Sequence, residues 1–173
     1  MNGTIEQDFD LTQIINGEEV VTPSPLWVHQ EISANLFRKI DSHAEQRGLG
    51  RVYFSPLDVI FEDGTNRFQP DLLFIRRENR PAVITDWVRI VPNMVCEIVS
   101  TGTFRRDTDI KRAIYEKYRV PEYWIVIPEY RTIEIFTIDG DKYKMFSYAE
   151  GHGSITSNVI DGLHINIADI FVE

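Results

Sequence analysis

The sequence predicts an α/β domain: a mixed sheet flanked by helices, with a hairpin at its N-terminal side and antiparallel strands at its C-terminal side. Three observations predict it. Val28, Ile32, Leu36 and Ile40 recur at four-residue spacing, the period of a one-faced helix. Short β-forming runs lie at 51–54, 57–61, 70–75 and 95–99. A second helical stretch, 107–118, is followed by strand runs at 123–127, 132–138 and 142–148.

Taken in order, residues 1–9 are polar and read as a flexible tail, with a single domain over 10–173. Residues 14–21 read as a hairpin, because Asn16-Gly17 supplies two residues that tolerate positive φ. The first helix is expected from Val28 to Arg47, with Gly48 as its stop. Asp63-Gly64 and Asn66 form a turn before the Pro70 to Ile75 strand. The stretch 82–92 fits either a short helix or an irregular crossing. In the second helix, Ile110, Ala113, Ile114 and Tyr118 form the expected core stripe, and Pro121 lies beyond its end. Asp139-Gly140 joins two C-terminal strands.

Composition narrows the class. The 173 residues are 43% hydrophobic and 26% charged, as in a water-soluble globular domain. No run approaches the roughly 20 apolar residues of a membrane span, and no secretory leader is visible, so a cytoplasmic protein with no membrane association is expected. The single cysteine, Cys96, reads as a small buried hydrophobe. A net charge of -9 argues against a broad phosphate-binding surface. The segment 105–119 departs from that balance, with six basic residues against three acidic ones.

Two carboxylates stand out. Asp71 opens the run Leu72-Leu73-Phe74-Ile75, and Glu97 interrupts the run from Met94 to Val99. An unpaired carboxylate among strand-forming apolar residues costs several kcal/mol to bury, so such residues have a cation, hydrogen-bond donors or a metal. Two on neighbouring strands suggest a metal site. Asp107, Lys111 and Tyr115 are spaced by four, so they project along one helix face beside the core stripe. Lys111 can pack its stem there and send its ammonium to the strand ends; its alternative is a surface pair with Asp107.

These residues resemble the PD-(D/E)xK nuclease superfamily, whose restriction-endonuclease-like core is a mixed sheet flanked by helices. The match is closer to a family of small bacterial proteins described as restriction endonucleases. It rests on Pro70-Asp71, on Glu97-Ile98-Val99-Ser100, on Asp107, Lys111 and Tyr115, and on Val120-Pro121-Glu122-Tyr123-Trp124. It covers residues 12–173. Val99 stands where the superfamily motif carries lysine, and the resemblance assigns that role to Lys111. Gln13 stands where the family often has an acid in the hairpin.

The resemblance implies a metal-dependent endonuclease acting on DNA. Asp71, Glu97 and the Ile98 carbonyl are the implied ligands of Mg²⁺, with Mn²⁺ as a substitute, and Lys111 orients the attacking water or offsets developing charge. Mg²⁺ suits such a set because it keeps several waters and needs only one or two carboxylates besides substrate phosphate. Glu31 and Ser100 are accessory candidates, each with a plainer reading as a solvated glutamate and a capping hydroxyl. Asp107 and Tyr115 complete the accessory set. His29 reads as structural or exposed, or as a phosphate contact; Asp58 as exposed at a strand edge. Trp27, Trp87 and Trp124 read as packing residues. His43, His152 and His164 lack metal-ligand spacing. Cutting both strands of a duplex calls for two sites, so a homodimer is a further expectation. Two other functions stay open: an inactive nuclease-fold module that binds nucleic acid or a protein, and a hydrolase of another phosphodiester.

Overall fold

The computed structural model describes residues 11–21, 24–61, 64–82, 88, 90–100 and 102–171. The expected tail at 1–9, most of the unassigned stretch 82–92 and Trp87 lie outside them.

Strands β1 (Thr12–Ile15) and β2 (Glu18–Val21) form the expected hairpin, with φ of 52° at Asn16 and 83° at Gly17. Helix α1 (Trp27–Gln46) buries Ile32, Leu36, Ile40 and Ala44, the four-residue stripe carried one step further than its sequence pattern. Gly48, at φ 64°, turns the chain out of the helix. Strand β3 (Gly50–Phe54) comes next, then the two-residue strands β4 (Val59–Ile60) and β5 (Arg67–Phe68), and β6 (Leu72–Arg76). The Leu57 to Phe61 run is therefore a strand only at its centre. Beyond lie β7 (Met94–Ile98), a π-helical turn (Arg106–Lys111), α2 (Arg112–Lys117), β8 (Glu122–Ile127), β9 (Thr132–Asp139) and β10 (Lys142–Glu150). A last small hairpin pairs β11 (Ser154–Thr156) with β12 (His164–Asn166).

The central sheet has the order β10-β9-β8-β7-β6-β3, parallel at β7–β8 and antiparallel elsewhere. Strand alternation divides the core. Leu72, Phe74, Met94, Cys96 and Ile98 face α1, whereas Leu73, Ile75, Val95 and Val99 face Ile114, Tyr115 and the second sheet, β2-β1-β5-β4. Cys96 is buried and free. No helix among the described residues is long and apolar enough to cross a membrane.

The second helix corrects the sequence reading most clearly. Ile110 and Ala113 face solvent, and the buried side carries Asp107, Lys111, Ile114 and Tyr115. The polar row has a charged counterpart in Glu97, which lies on the sheet face that this segment covers; Ile110 and Ala113 have none. A π-helical turn replaces regular helix over Asp107 and Lys111, whereas Tyr115, the other residue that bonds Glu97, lies in α2; such a deviation is common at functional sites.

Candidate active site

Strand register creates the site. Leu72 pairs with Cys96, so one rung further Asp71 lies across from Glu97 at the end of the sheet. Strand β6 begins at Leu72 rather than at Pro70, because proline cannot donate to the ladder and Asp71 uses its side chain instead. The Asp71 Oδ2 accepts the Ile98 backbone N–H at 2.7 Å. The Asp71 backbone carbonyl accepts the Ser55 N–H, which ties β3 to the same corner.

Glu97 Oε1 accepts two side-chain bonds, from Lys111 Nζ at 2.8 Å and from the Tyr115 hydroxyl at 2.7 Å. The Lys111 ammonium also lies 3.4 Å from Asp107 Oδ1, a buried oxygen with no hydrogen-bond donor of its own. Above Lys111 lies the Phe68 ring of β5, its centroid 5.7 Å from Nζ. Tyr115 packs edge-on against the same ring at 5.3 Å. The hairpin sheet thus roofs the site.

Burial and charge shape its protonation. Burial pushes the Glu97 carboxyl up to about 7; the Lys111 ammonium opposes this, and Asp107 and Asp71 reinforce it. For Lys111, burial acts downward, but attraction to Glu97 and then Asp107 outweighs it and raises the pKa. Burial and the Glu97 charge hold the Tyr115 hydroxyl well above its ordinary value, so it stays a donor.

His29 belongs to this cluster, though its sequence position gave it no such weight. Its Nε2 lies 3.2 Å from Asp71 Oδ1, while Nδ1 is buried with no hydrogen-bond partner. Burial acts to lower its pKa, but the bond and charge of Asp71 win, with Glu97 and the Ile98 carbonyl adding, so the ring favours its proton. The available signal was its position one turn before Ile32: that puts His29 on the face of α1 that meets the sheet.

Other candidates fall elsewhere. Glu31 is exposed and borders a shallow cavity with Pro128, Arg131 and Phe171, which no residue of the Asp71 cluster lines. Ser100 shares its hydroxyl with Thr103 Oγ1 at 3.1 Å and donates its N–H to the same oxygen, a turn-closing arrangement. Asp58, expected at the surface, is largely covered; it accepts from Gln69 Nε2 and lies 3.9 Å from Arg67, because β4, which it precedes, pairs with β5 in the hairpin sheet. Gln13 is buried and accepts the Gln69 N–H at 3.3 Å, so an amide serves where the family often has an acid. Trp124 is core, donating to Glu122, whereas Trp27 projects into solvent at the first residue of α1.

Among the described residues, no three His, Cys, Asp or Glu side chains gather as a ready cation cage. The donor chemistry still fits a hard cation held mainly through water and substrate oxygens. Glu97 and Asp107 share one ammonium, and burial first, then the charges of Asp107 and Asp71, raise the Glu97 pKa against the pull of Lys111. Glu97 Oε2 accepts no hydrogen bond among the described residues, leaving that oxygen open to a ligand.

The family model for Uma2, described as "Putative restriction endonuclease", matches residues 5–168. The chain belongs to the Uma2 family. Membership places it in a nuclease class and agrees with the resemblance carried by Pro70-Asp71 and Glu97 to Ser100. A crystal structure described as a putative nuclease belonging to DUF820, from Anabaena variabilis, superposes with a TM-score of 0.78 at 19% identity. The match covers 92% of this chain and 89% of that one, which establishes the shared restriction-endonuclease-like fold. No curated protein matches the chain. Within the Uma2 fold, the π-helical turn brings Lys111 to Glu97, while Val99, two residues beyond Glu97, is buried in the apolar core.

Proposed function

We propose that the protein is a metal-dependent endonuclease that hydrolyses phosphodiester bonds in DNA. The observation that carries this reading is the convergence of Asp71, on the rung across from Glu97, with Lys111 Nζ 2.8 Å from Glu97 Oε1.

Asp71 and Glu97 would hold Mg²⁺ or Mn²⁺ with the Ile98 carbonyl. The cation, when bound, supplies Lewis acidity toward a phosphoryl oxygen and acidifies a water. The chain's own residues do the rest. Lys111 carries three donors; Glu97 Oε1 accepts one, and Asp107 Oδ1 lies 3.4 Å away without accepting a hydrogen bond, so a donor is available to a water or a phosphate oxygen. Its charge then offsets negative charge that develops as the phosphoryl group is attacked. Tyr115 fixes the rotamer of Glu97, and the Ile98 N–H fixes that of Asp71.

Magnesium-dependent cleavage of linear, nicked or branched DNA should disappear in Asp71→Asn and Glu97→Gln while the circular dichroism spectrum is retained. Absence of cleavage by the unaltered protein across varied DNA and metals would overturn the assignment. One observation favours a second reading, a catalytically inactive module that binds nucleic acid or a protein: the ammonium already answers Glu97, as a structural ion pair would. Calorimetric titration with Mn²⁺ separates the two, since binding lost in Asp71→Asn is expected only for the nuclease.

A further inference from the structure

His29 belongs to the cluster, yet the nuclease reading gives it no task. Its Nε2 lies 3.2 Å from Asp71 Oδ1, the oxygen of that carboxylate which the Ile98 N–H does not engage. The Ile98 carbonyl lies within reach of the same ring. One imidazole thus faces both of the oxygens, Asp71 Oδ1 and the Ile98 carbonyl, that are open to a cation at this corner of the sheet. Two side chains and a backbone oxygen meet there, rather than the three side chains of a ready cage.

Helical phase puts the ring in that position. His29 precedes the buried Ile32 by three residues and Leu36 by seven, so it shares the stripe of α1 that packs on the sheet. Its Nδ1 is buried and has no hydrogen-bond partner among the described residues, whereas a buried histidine with a purely structural task has its polar atoms answered. Access to solvent separates this corner from the rest of the cluster. The side chains of His29 and Asp71 are 17% and 18% exposed, against 4% for Glu97 and 2% for Lys111. An ion from solvent can reach His29 and Asp71 without displacing the buried groups.

We propose that His29 Nε2 is a ligand of the same cation as Asp71 and the Ile98 carbonyl, and that this nitrogen makes the site one for Mn²⁺ in preference to Mg²⁺. The inference rests on the metal-dependent reading above and narrows it. Mg²⁺ is a hard ion that favours an all-oxygen shell and gives up water reluctantly. Imidazole suits first-row transition ions, and Mn²⁺ accepts it together with carboxylate and carbonyl oxygens. The cation takes the place of the proton between Nε2 and Asp71, and that proton leaves to solvent.

Calorimetric titration of the DNA-free protein with each ion, and electron spin-echo spectroscopy of its Mn²⁺ complex, test this. The unaltered protein should bind Mn²⁺ roughly tenfold more tightly than Mg²⁺, and the echo should carry the modulation of a directly bound nitrogen. His29→Gln, which offers an oxygen instead, should lose that modulation and roughly tenfold in Mn²⁺ affinity, with Mg²⁺ affinity changed by no more than about twofold. His29→Ala should lose the modulation as well, and circular dichroism should show both variants folded. An unaltered protein whose bound Mn²⁺ shows no nitrogen modulation, or that binds Mg²⁺ as tightly as Mn²⁺, overturns the proposal while the metal site stands. So does modulation or Mn²⁺ affinity that both variants retain. A protein that binds neither ion overturns the metal-dependent reading along with it.

Discussion

Lys111 Nζ lies 2.8 Å from Glu97 Oε1 and 3.4 Å from Asp107 Oδ1, so one buried ammonium answers two carboxylates from different elements. Removing it leaves buried negative charge without a partner. Lys111→Met should therefore abolish cleavage and lower stability by about 3 kcal/mol near pH 8, as for other broken buried pairs. Near about pH 5, where Glu97 can take up a proton, the loss should be smaller. The double variant Lys111→Met with Glu97→Gln should recover part of it. Urea denaturation of the four proteins measures the coupling.

The pH dependence of the metal-free protein has a defined sign. Between the ordinary carboxyl value of 4.5 and about 7, folded Glu97 holds a proton that the unfolded chain has released. The folded state binds more protons in that window, so stability falls as pH rises through it. His29 adds in the same direction: its contribution is present below 6.5 and is lost as pH rises through its raised folded value. Denaturation midpoints taken across this range should decline in the unaltered protein, by on the order of 1–3 kcal/mol for Glu97. The decline should be shallower in Glu97→Gln, and an unchanged slope would exclude Glu97 as its source.

Gly50 is required by close approach. A Cβ there would lie 2.2 Å from the Ile75 carbonyl oxygen and 2.7 Å from the Phe74 ring, and a backbone carbonyl cannot swing aside as a side chain can. Gly50→Ala should cost roughly 3 kcal/mol, at the upper end for overpacking, by separating β3 from β6. Thermal unfolding followed by circular dichroism would show the loss.

Glu122 provides the opposite control, a buried carboxylate with a structural task. It accepts from Trp124 Nε1 at 2.7 Å, the Ser157 hydroxyl at 2.7 Å, and the backbone N–H groups of Asn158 and Val159 at 2.6 and 3.2 Å. An amide in its place sets donors against donors. Glu122→Gln should destabilise the fold by about 2 kcal/mol or more. Cleavage per folded molecule should be unchanged, because Glu122 pairs with Met94, at the end of β7 away from Glu97.

What could be read from the sequence was set by period and by local turn chemistry. Asn16-Gly17, Gly48 and the Ile32, Leu36, Ile40 stripe each determine structure within a few residues, and each lies where its pattern places it. Asp71 and Glu97 were visible because a carboxylate in a strand contradicts its neighbours. His29 was not, since its meaning depends on packing α1 against the end of β6, a contact between distant segments. The second helix misled for a related reason. Hydrophobicity placed Ile110 inside, but the buried face is selected by what opposes it, and what opposes it is Glu97. Trp27 inverted the same expectation: at the first residue of α1 it is largely exposed.

The π-helical turn at Arg106–Lys111 makes chain length a determinant of the site. Each residue added to or removed from a helix rotates the downstream side chains by about 100°. Deleting one residue between Asp107 and Lys111 would swing these side chains out of their shared alignment although every site residue remained in the sequence. Relatives of this protein are therefore better compared by the spacing of this segment than by the presence of its acidic and basic residues. A variant with the full set of side chains and a segment one residue shorter would keep every site residue, break the spacing of four between Asp107 and Lys111, and lose the ammonium from Glu97.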